Sequence, residues 1–446
     1  MRVPVALVDA FKDQFEPVLT DFLVKNQLIE EAGSLHSKRF LNRSVAPHVK
    51  TLSQLFNRTE GSQTDGIDSD PYWSDGGSPK NRRLAYFLSF MPCNLFRVAS
   101  VWSELHRLGF EWPFSKELDF KGLEFGAGLA SGAAGIIAGE RYSPVGLPPR
   151  GNFALIEQSK AALQMGTKWL EHYAGEGMSV RPFHRRVDLT KSWLPPAAPK
   201  FHLFVMSYFL NETASAPEAL IQPFLDACEK HLEDEGLVII VEPALKLQSR
   251  KLLAFRKAFL ENPKVASGEV GLKVLLPCLG HQACGALAKE DDWCHEEVSW
   301  WRPPYLRELD ALTGLDRKSL PFSYLVIQKT RKSLEEVLPH LTGKKEERYR
   351  LVSPSHSLSR KTSEFFICGQ DGKRRARYAM DNLKNNRLEP NRGTILLNTT
   401  LHGDRESTQI DRAEAFEGGE IGISEAAQTE PSELETLGSS DLDPQE

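Results

Sequence analysis

The chain has only six cysteines and six methionines in 446 residues. So thin a supply of thiols excludes a disulfide-built scaffold. Long apolar runs are missing as well, since none approaches the ~18 to 20 residues of a membrane span. The first residues, MRVPVALVDAFKDQFEPVL, lack a basic segment ahead of an apolar one, and Asp9, Asp13 and Glu16 are foreign to an acid-poor transit peptide. These absences lead to the expectation of a cytoplasmic, monomeric protein without membrane contact, in which clustered cysteines serve metal binding or catalysis. Internal repeats are absent too. A mass of 50.1 kDa exceeds what one core usually supports, so two or three domains are expected.

Charge is spread unevenly. Residues 401–446 hold thirteen Asp and Glu against Arg405 and Arg412, a net of −11, so a total of −5 leaves +6 on the remainder. Between 331 and 400, fifteen Lys and Arg face eight acids, a net of +7. A basic segment beside an acidic one fits nucleic-acid contact, and a solvated basic face fits the same numbers.

Texture divides the chain further. Residues 1–118 read as a helical domain with a Gly-, Ser- and Asp-rich linker at 57–81. Within it Leu84, Leu88, Leu95, Val98, Trp102 and Leu105 recur at helical spacing, with a break near Pro92. Over 119–330, short apolar runs alternate with helical patterns: GLEFGAG, FALIEQ, SVRPFHRRVD, FHLFVMSYF, GLVIIVEPA, VGLKVLLP and FSYLVIQK. That alternation predicts an α/β, doubly wound, mainly parallel sheet whose last two strands form a reversed edge hairpin. Residues 331–400 read as a basic, β-rich module, a small barrel or sandwich, and 401–446 as an acidic disordered tail.

The first strand ends in LEFGAGLASGAAG. Glycines at a strand-to-helix turn let a ligand approach free backbone amides. A dinucleotide site wants G-x-G-x-x-G, and here Gly132 arrives one place late after Gly126 and Gly128. An acid two residues before the first glycine, Glu124, follows instead the habit of S-adenosylmethionine-dependent methyltransferases. Glu157 then closes the next strand, suited to ribose hydroxyls, and Asp188 follows the third, near an adenine amine. Packing alone is the competing explanation of the turn. The fourth strand ends MSYFLNET, without an (Asp/Asn)-Pro-Pro-aromatic box, and no residue stands out as a catalytic base. Ser207, Asn211 and Glu212 are candidates for a substrate pocket, although Asn211 equally suits a helix cap.

About 44 residues separate the last two strands, and this insertion (277–319) holds Cys278, Cys284 and Cys294. Three thiolates from one loop need a fourth ligand to close a site. His281 or His295 would make a zinc site, and Cys368 an all-cysteine one. Cys93 and Cys228 read as core residues. Pro277-Cys278 follows the sixth strand and not the fourth, which excludes a cytosine-C5 nucleophile.

These segments together resemble the methyltransferase-like small-ribosomal-subunit proteins of bacteria and mitochondria. The likeness covers roughly residues 82–395 and rests on Pro277-Cys278, Cys284, DWCH at 292–295, LPFSYLVIQK at 320–329, SYFLNE at 207–212 and VEP at 241–243. PCLGH stands where the family has Pro-Cys-Pro-His, and GAGLASG where it favours Gly-x-Gly-Pro-Gly.

The resemblance implies a class I S-adenosylmethionine-dependent methyltransferase (Rossmann-like) domain binding S-adenosyl-L-methionine through Glu124, Gly126, Gly128, Gly132, Glu157 and Asp188. It also implies a four-iron four-sulfur cluster on Cys278, Cys284, Cys294 and Cys368, and work on the small ribosomal subunit and its ribosomal RNA during assembly and translation. A non-catalytic assembly factor that keeps the fold as an RNA-binding platform is the rival expectation.

Overall fold

The computed structural model describes residues 1, 3–56, 79–148, 150–280, 283–360, 362–379, 391–404 and 408–416. Most of the expected linker, 57–78, lies outside the described residues. Eight strands form the main sheet: β1 (Phe120–Phe125), β2 (Gly151–Glu157), β3 (Met178–His184), β4 (Phe201–Ser207), β5 (Leu232–Pro243), β6 (Leu272–Leu276), β7 (Glu296–Ser299) and β8 (Ser319–Lys329). Their order is β3-β2-β1-β4-β5-β8-β6, with β7 paired to β8. The first five run parallel, and β8 lies antiparallel between β5 and β6. This strand order, with one reversed strand slipped in before the edge, is that of the class I methyltransferase fold.

Burial on both faces explains the continuous apolar runs. Along β4 every residue is buried, with Leu203 and Val205 in the core of one face and Phe204 and Met206 in that of the other. Helices Met91–Arg107, Ser131–Tyr142 and Lys160–Ala174 cover the first face, together with the N-terminal helices. Pro217–His231 and Lys246–Glu261 cover the second. Pro92 opens the helix Met91–Arg107, where its missing N–H costs nothing. Among the described residues one helical stretch, Lys80–Arg107, is long and apolar enough to cross a membrane, but 83% of its apolar window is buried inside the protein. It serves as a core helix.

Six further strands follow: β9 (Tyr349–Leu351), β10 (His356–Ser359), β11 (Thr362–Gly369), β12 (Gly372–Ala379), β13 (Ile395–His402) and β14 (Thr408–Ala415). The path β11-β12-β14-β13-β9 closes because β9 also pairs with β11. Phe365 and Ile367 of β11 point into the resulting barrel beside Tyr349, Tyr378, Leu396 and Ile410. By strand alternation Cys368 points out.

One expectation needs correction. Residues 408–415 belong to the barrel and not to a disordered tail, because Ile410 and Ala413 fill its core despite the acidic composition around them.

A buried ion network fastens the barrel to the rest. Arg350 on β9 reaches Glu104 on the helix Met91–Arg107 at 3.0 Å and Glu296 on β7 at 3.5 Å, while Arg107 holds Glu104 at 2.8 Å. Burial alone would raise the Glu104 carboxyl. The two guanidiniums override it and hold the group at about 2.

Candidate functional site: a glycine-turn cleft and a four-cysteine cavity

β1 runs into Gly126 and Gly128, at φ 62° and 51°, and Ala130 follows at 57°. Ala130 precedes the helix Ser131–Tyr142 and gives it no side-chain cap. Glu124 supplies one from the strand. Its Oε1 accepts the Gly132 N–H and its Oε2 the Ala133 N–H, both at 2.9 Å. A Cβ on Gly132 would stand 2.5 Å from that Oε1, so the position requires glycine. Burial pushes the Glu124 carboxyl up to about 8, against the pull of its two amides, and Glu157 adds a like charge.

Glu157, ending β2, accepts the Gly128 N–H at 2.9 Å and the Ser159 N–H at 2.8 Å. A Cβ on Gly128 would meet nothing within 4 Å, so the turn borders open space there. Asp188, beyond β3, is bonded within its own loop. It accepts from the Thr190 N–H and hydroxyl and pairs with Lys191 at 3.0 Å, and these bonds hold it at about 2.

Ser207 closes β4 with its Oγ buried and without a hydrogen-bond partner among the described residues. Beyond it Tyr208 takes φ 61°, and residues Leu210–Glu212 form one short turn. Glu242, at the end of β5, accepts the N–H groups of Phe209, Leu210 and Asn211 at 3.1, 2.7 and 3.2 Å. Burial pushes it up to about 8 against those bonds. Asn211 thus serves the turn through its backbone. Glu212 is also pushed up to about 8, by surrounding protein and then by the charges of Glu157 and Glu242. From the N-terminal helices, Arg97 lies 5.7 Å over the Tyr208 ring and donates to Asn94 Oδ1 at 2.9 Å. Sequence reasoning missed Glu242 and Arg97: VEP flags the first only as part of a motif, and an arginine on an amphipathic helix gives no signal.

The second site lies at the seam between sheet and barrel. Cys278, Cys284, Cys294 and Cys368 line one cavity of about 880 Å³ of atom-free space, its open mouth included. Arg256, His295, Tyr324, Arg350 and Lys373 line it too. The cysteine loop is stitched in place. Arg250 donates to the carbonyls of Ala286, Lys289 and Asp292 at 3.2, 2.7 and 2.6 Å, and Arg256 to that of Gly280 at 2.9 Å. On the barrel side Lys373 pairs with Asp292 at 2.5 Å, and a Cβ on Gly285 would stand 2.7 Å from the Lys373 Cβ.

Burial, and then the neighbouring sulfurs, raise the thiols of Cys294, Cys284 and Cys368, the last to about 12. His295 is drawn down to about 4 by burial and by Arg392. His295 Nδ1 and Tyr324 Oη are buried with no hydrogen-bond partner among the described residues. Cys93 gives its thiol to the Ser89 carbonyl at 3.3 Å, and Cys228 lies in the core, so neither joins the cavity. His281 lies outside the described residues. Among the described residues no three His, Cys, Asp or Glu side chains are grouped to hold one metal ion.

Similarities to known proteins bear on both sites. Solved structures similar to this chain include StiE O-MT residues 942–1257, at 17% identity and TM-score 0.28 over 51% of this chain and 74% of that one. A precorrin-6y C5,15-methyltransferase from Geobacter metallireducens has 14% identity and TM-score 0.28, over 52% and 87%. Loganic acid methyltransferase with SAH has 11% and 0.32, over 53% and 94%. At such values the similarity carries no argument, and the fold assignment rests on strand order and the glycine turn. No curated protein matches the sequence. The profile of the family described as mitochondrial small ribosomal subunit Rsm22 matches residues 119–381, more than half of the chain, from the first strand through the Cys368 hairpin. The chain belongs to the Rsm22 family.

Proposed function

We propose that this protein binds S-adenosylmethionine in the glycine-turn cleft and acts on, or binds, the small ribosomal subunit and its RNA. The observation that carries the cofactor half is the open side of Gly128, bordered by Glu157 at the carboxyl end of β2 and by Glu212 beyond β4. Ligands of open α/β sheets bind at the carboxyl ends of the strands. Glu157 would take ribose hydroxyls on its remaining lone pairs, and Glu212 would face the positive end of the ligand. When bound, S-adenosylmethionine supplies an electrophilic methyl group. The ribosomal half rests on family membership, and a cytoplasmic setting belongs to the same proposal.

The reading extends to a four-iron four-sulfur cluster on Cys278, Cys284, Cys294 and Cys368. The donor set fits: four free thiols ring one cavity, the cations Arg256, Arg350 and Lys373 suit an anionic thiolate cluster, and two orphaned polar atoms face the same space. Zinc on the same four thiols is the alternative occupant.

One observation favours a non-catalytic assembly factor. Glu124 and Glu157 spend their carboxylates on the turn's own amides, and Asp188 caps its own loop. Calorimetric titration with S-adenosylmethionine separates the two readings: saturable binding supports the methyltransferase, and its absence leaves the platform. Crosslinking to RNA in cells tests the ribosomal half, which fails if reads scatter without enrichment on small-subunit ribosomal RNA.

A further inference from the structure

β3 is the free edge of the main sheet, paired only with β2. Its last four residues and the two beyond them, Arg181 to Arg186, read RPFHRR, and all six are exposed except the half-buried Arg185. Among the described residues no carboxylate pairs with Arg181, Arg185 or Arg186, and the nearby Asp188 is occupied by Lys191. Arginines and a proline on an edge strand would normally be read as guards against strand-to-strand aggregation. Phe183 contradicts that reading. It is 50% exposed and flanked by cations, and a guarded edge gains nothing from an open aromatic ring.

The patch also has a direction. In the β2–β3 register His184 lies opposite Glu157, so the strand's carboxyl end meets the acid that borders the glycine turn. Arginines for phosphates and an aromatic face for a base are the elements of a single-strand RNA track.

We infer that the β3 edge is a docking surface for single-stranded RNA, with Phe183 stacking on a base, Arg181 and Arg186 contacting phosphates, and the strand led toward the Glu157 end of the cleft. The inference rests on the RNA half of the proposed function and adds a surface remote from the basic barrel. It is tested with the full-length protein and a fluorescein-labelled single-stranded oligonucleotide of small-subunit ribosomal RNA sequence, by anisotropy. Phe183→Ala is expected to weaken binding about tenfold, the range of one lost base stack. Arg181→Ala with Arg186→Ala is expected to reduce the log–log salt slope by about 1.4, two phosphate contacts on a single strand. Circular dichroism confirms that the variants fold.

If the wild type binds RNA while both variants keep its affinity and slope, the β3 assignment is wrong and the RNA reading stands. If the wild type binds no RNA, the proposed function fails and takes this inference with it. Displacement by polyglutamate as effective as by unlabelled RNA, with Phe183→Ala unchanged, would reduce the patch to a site for any polyanion and overturn it as well.

Discussion

The two sites hold buried ionisable groups in opposite ways. Around the glycine turn, Glu124, Glu157 and Glu242 accept seven backbone N–H groups among them at 2.7 to 3.2 Å, so the acids are answered by the protein itself. In the cysteine cavity, thiols raised by burial and by one another stand with a histidine nitrogen and a tyrosine hydroxyl that have no hydrogen-bond partners among the described residues. A buried polar group left unanswered costs about 1–3 kcal/mol. The first region thus answers its acids with its own amides, although Ser207 Oγ stays buried without a partner among the described residues, while the second leaves two polar atoms of its lining residues without one. Arg350 and Lys373 already fasten the barrel, so a cluster would sit in a seam that stands without it.

The largest test of this contrast is Arg350→Ala. It leaves Glu104 and Glu296 buried without their shared guanidinium, and the expected loss is about 3–5 kcal/mol in chemical denaturation. An unchanged midpoint would mean that the barrel is held by something else. Next, Glu242→Ala strands three amides and Glu124→Ala two, for an expected loss of about 1–3 kcal/mol each. Cys368→Ala should cost less than any of these, because its seam is held by ion pairs, while abolishing the visible absorbance that the proposed cluster would give. A drop in stability as large as that of Arg350→Ala would make the cluster the main fastener.

A separate test lies in pH dependence. Glu124 and Glu242 stand near 8 in the folded protein against an ordinary 4.5. The folded state thus retains protons that the unfolded chain gives up above about 4.5. Their contribution to stability is complete below that pH and is lost as pH rises through about 8. The midpoint of thermal unfolding should fall between pH 6 and 8.5, and Glu242→Gln should flatten that slope.

Much of this was legible in sequence. β1, β2, β4 to β6 and β8 are visible because burial on both faces demands apolar runs, the helix Met91–Arg107 because its apolar residues recur at three and four, while β3, an exposed edge strand, gives a weaker signal. β7, with Glu296 and Glu297, and β14, with only Ile410 and Ala413 in the core, are not legible, since neighbouring strands and not composition decide them. The four thiols could be grouped from spacing and family likeness, but the cations around them could not. Arg256 and Arg350 are distant in sequence and look like ordinary basic residues. Glu124 and Asp188 show the limit of motif reading, because a motif gives an acid's position and the fold decides which amides it meets.

We propose that the four-cysteine cavity holds a four-iron four-sulfur cluster rather than a single ion. Iron, acid-labile sulfide and zinc should be measured on protein purified without oxygen. About four irons and four sulfides per chain are expected, both lost in Cys294→Ala. One equivalent of zinc with no iron or sulfide would contradict the account.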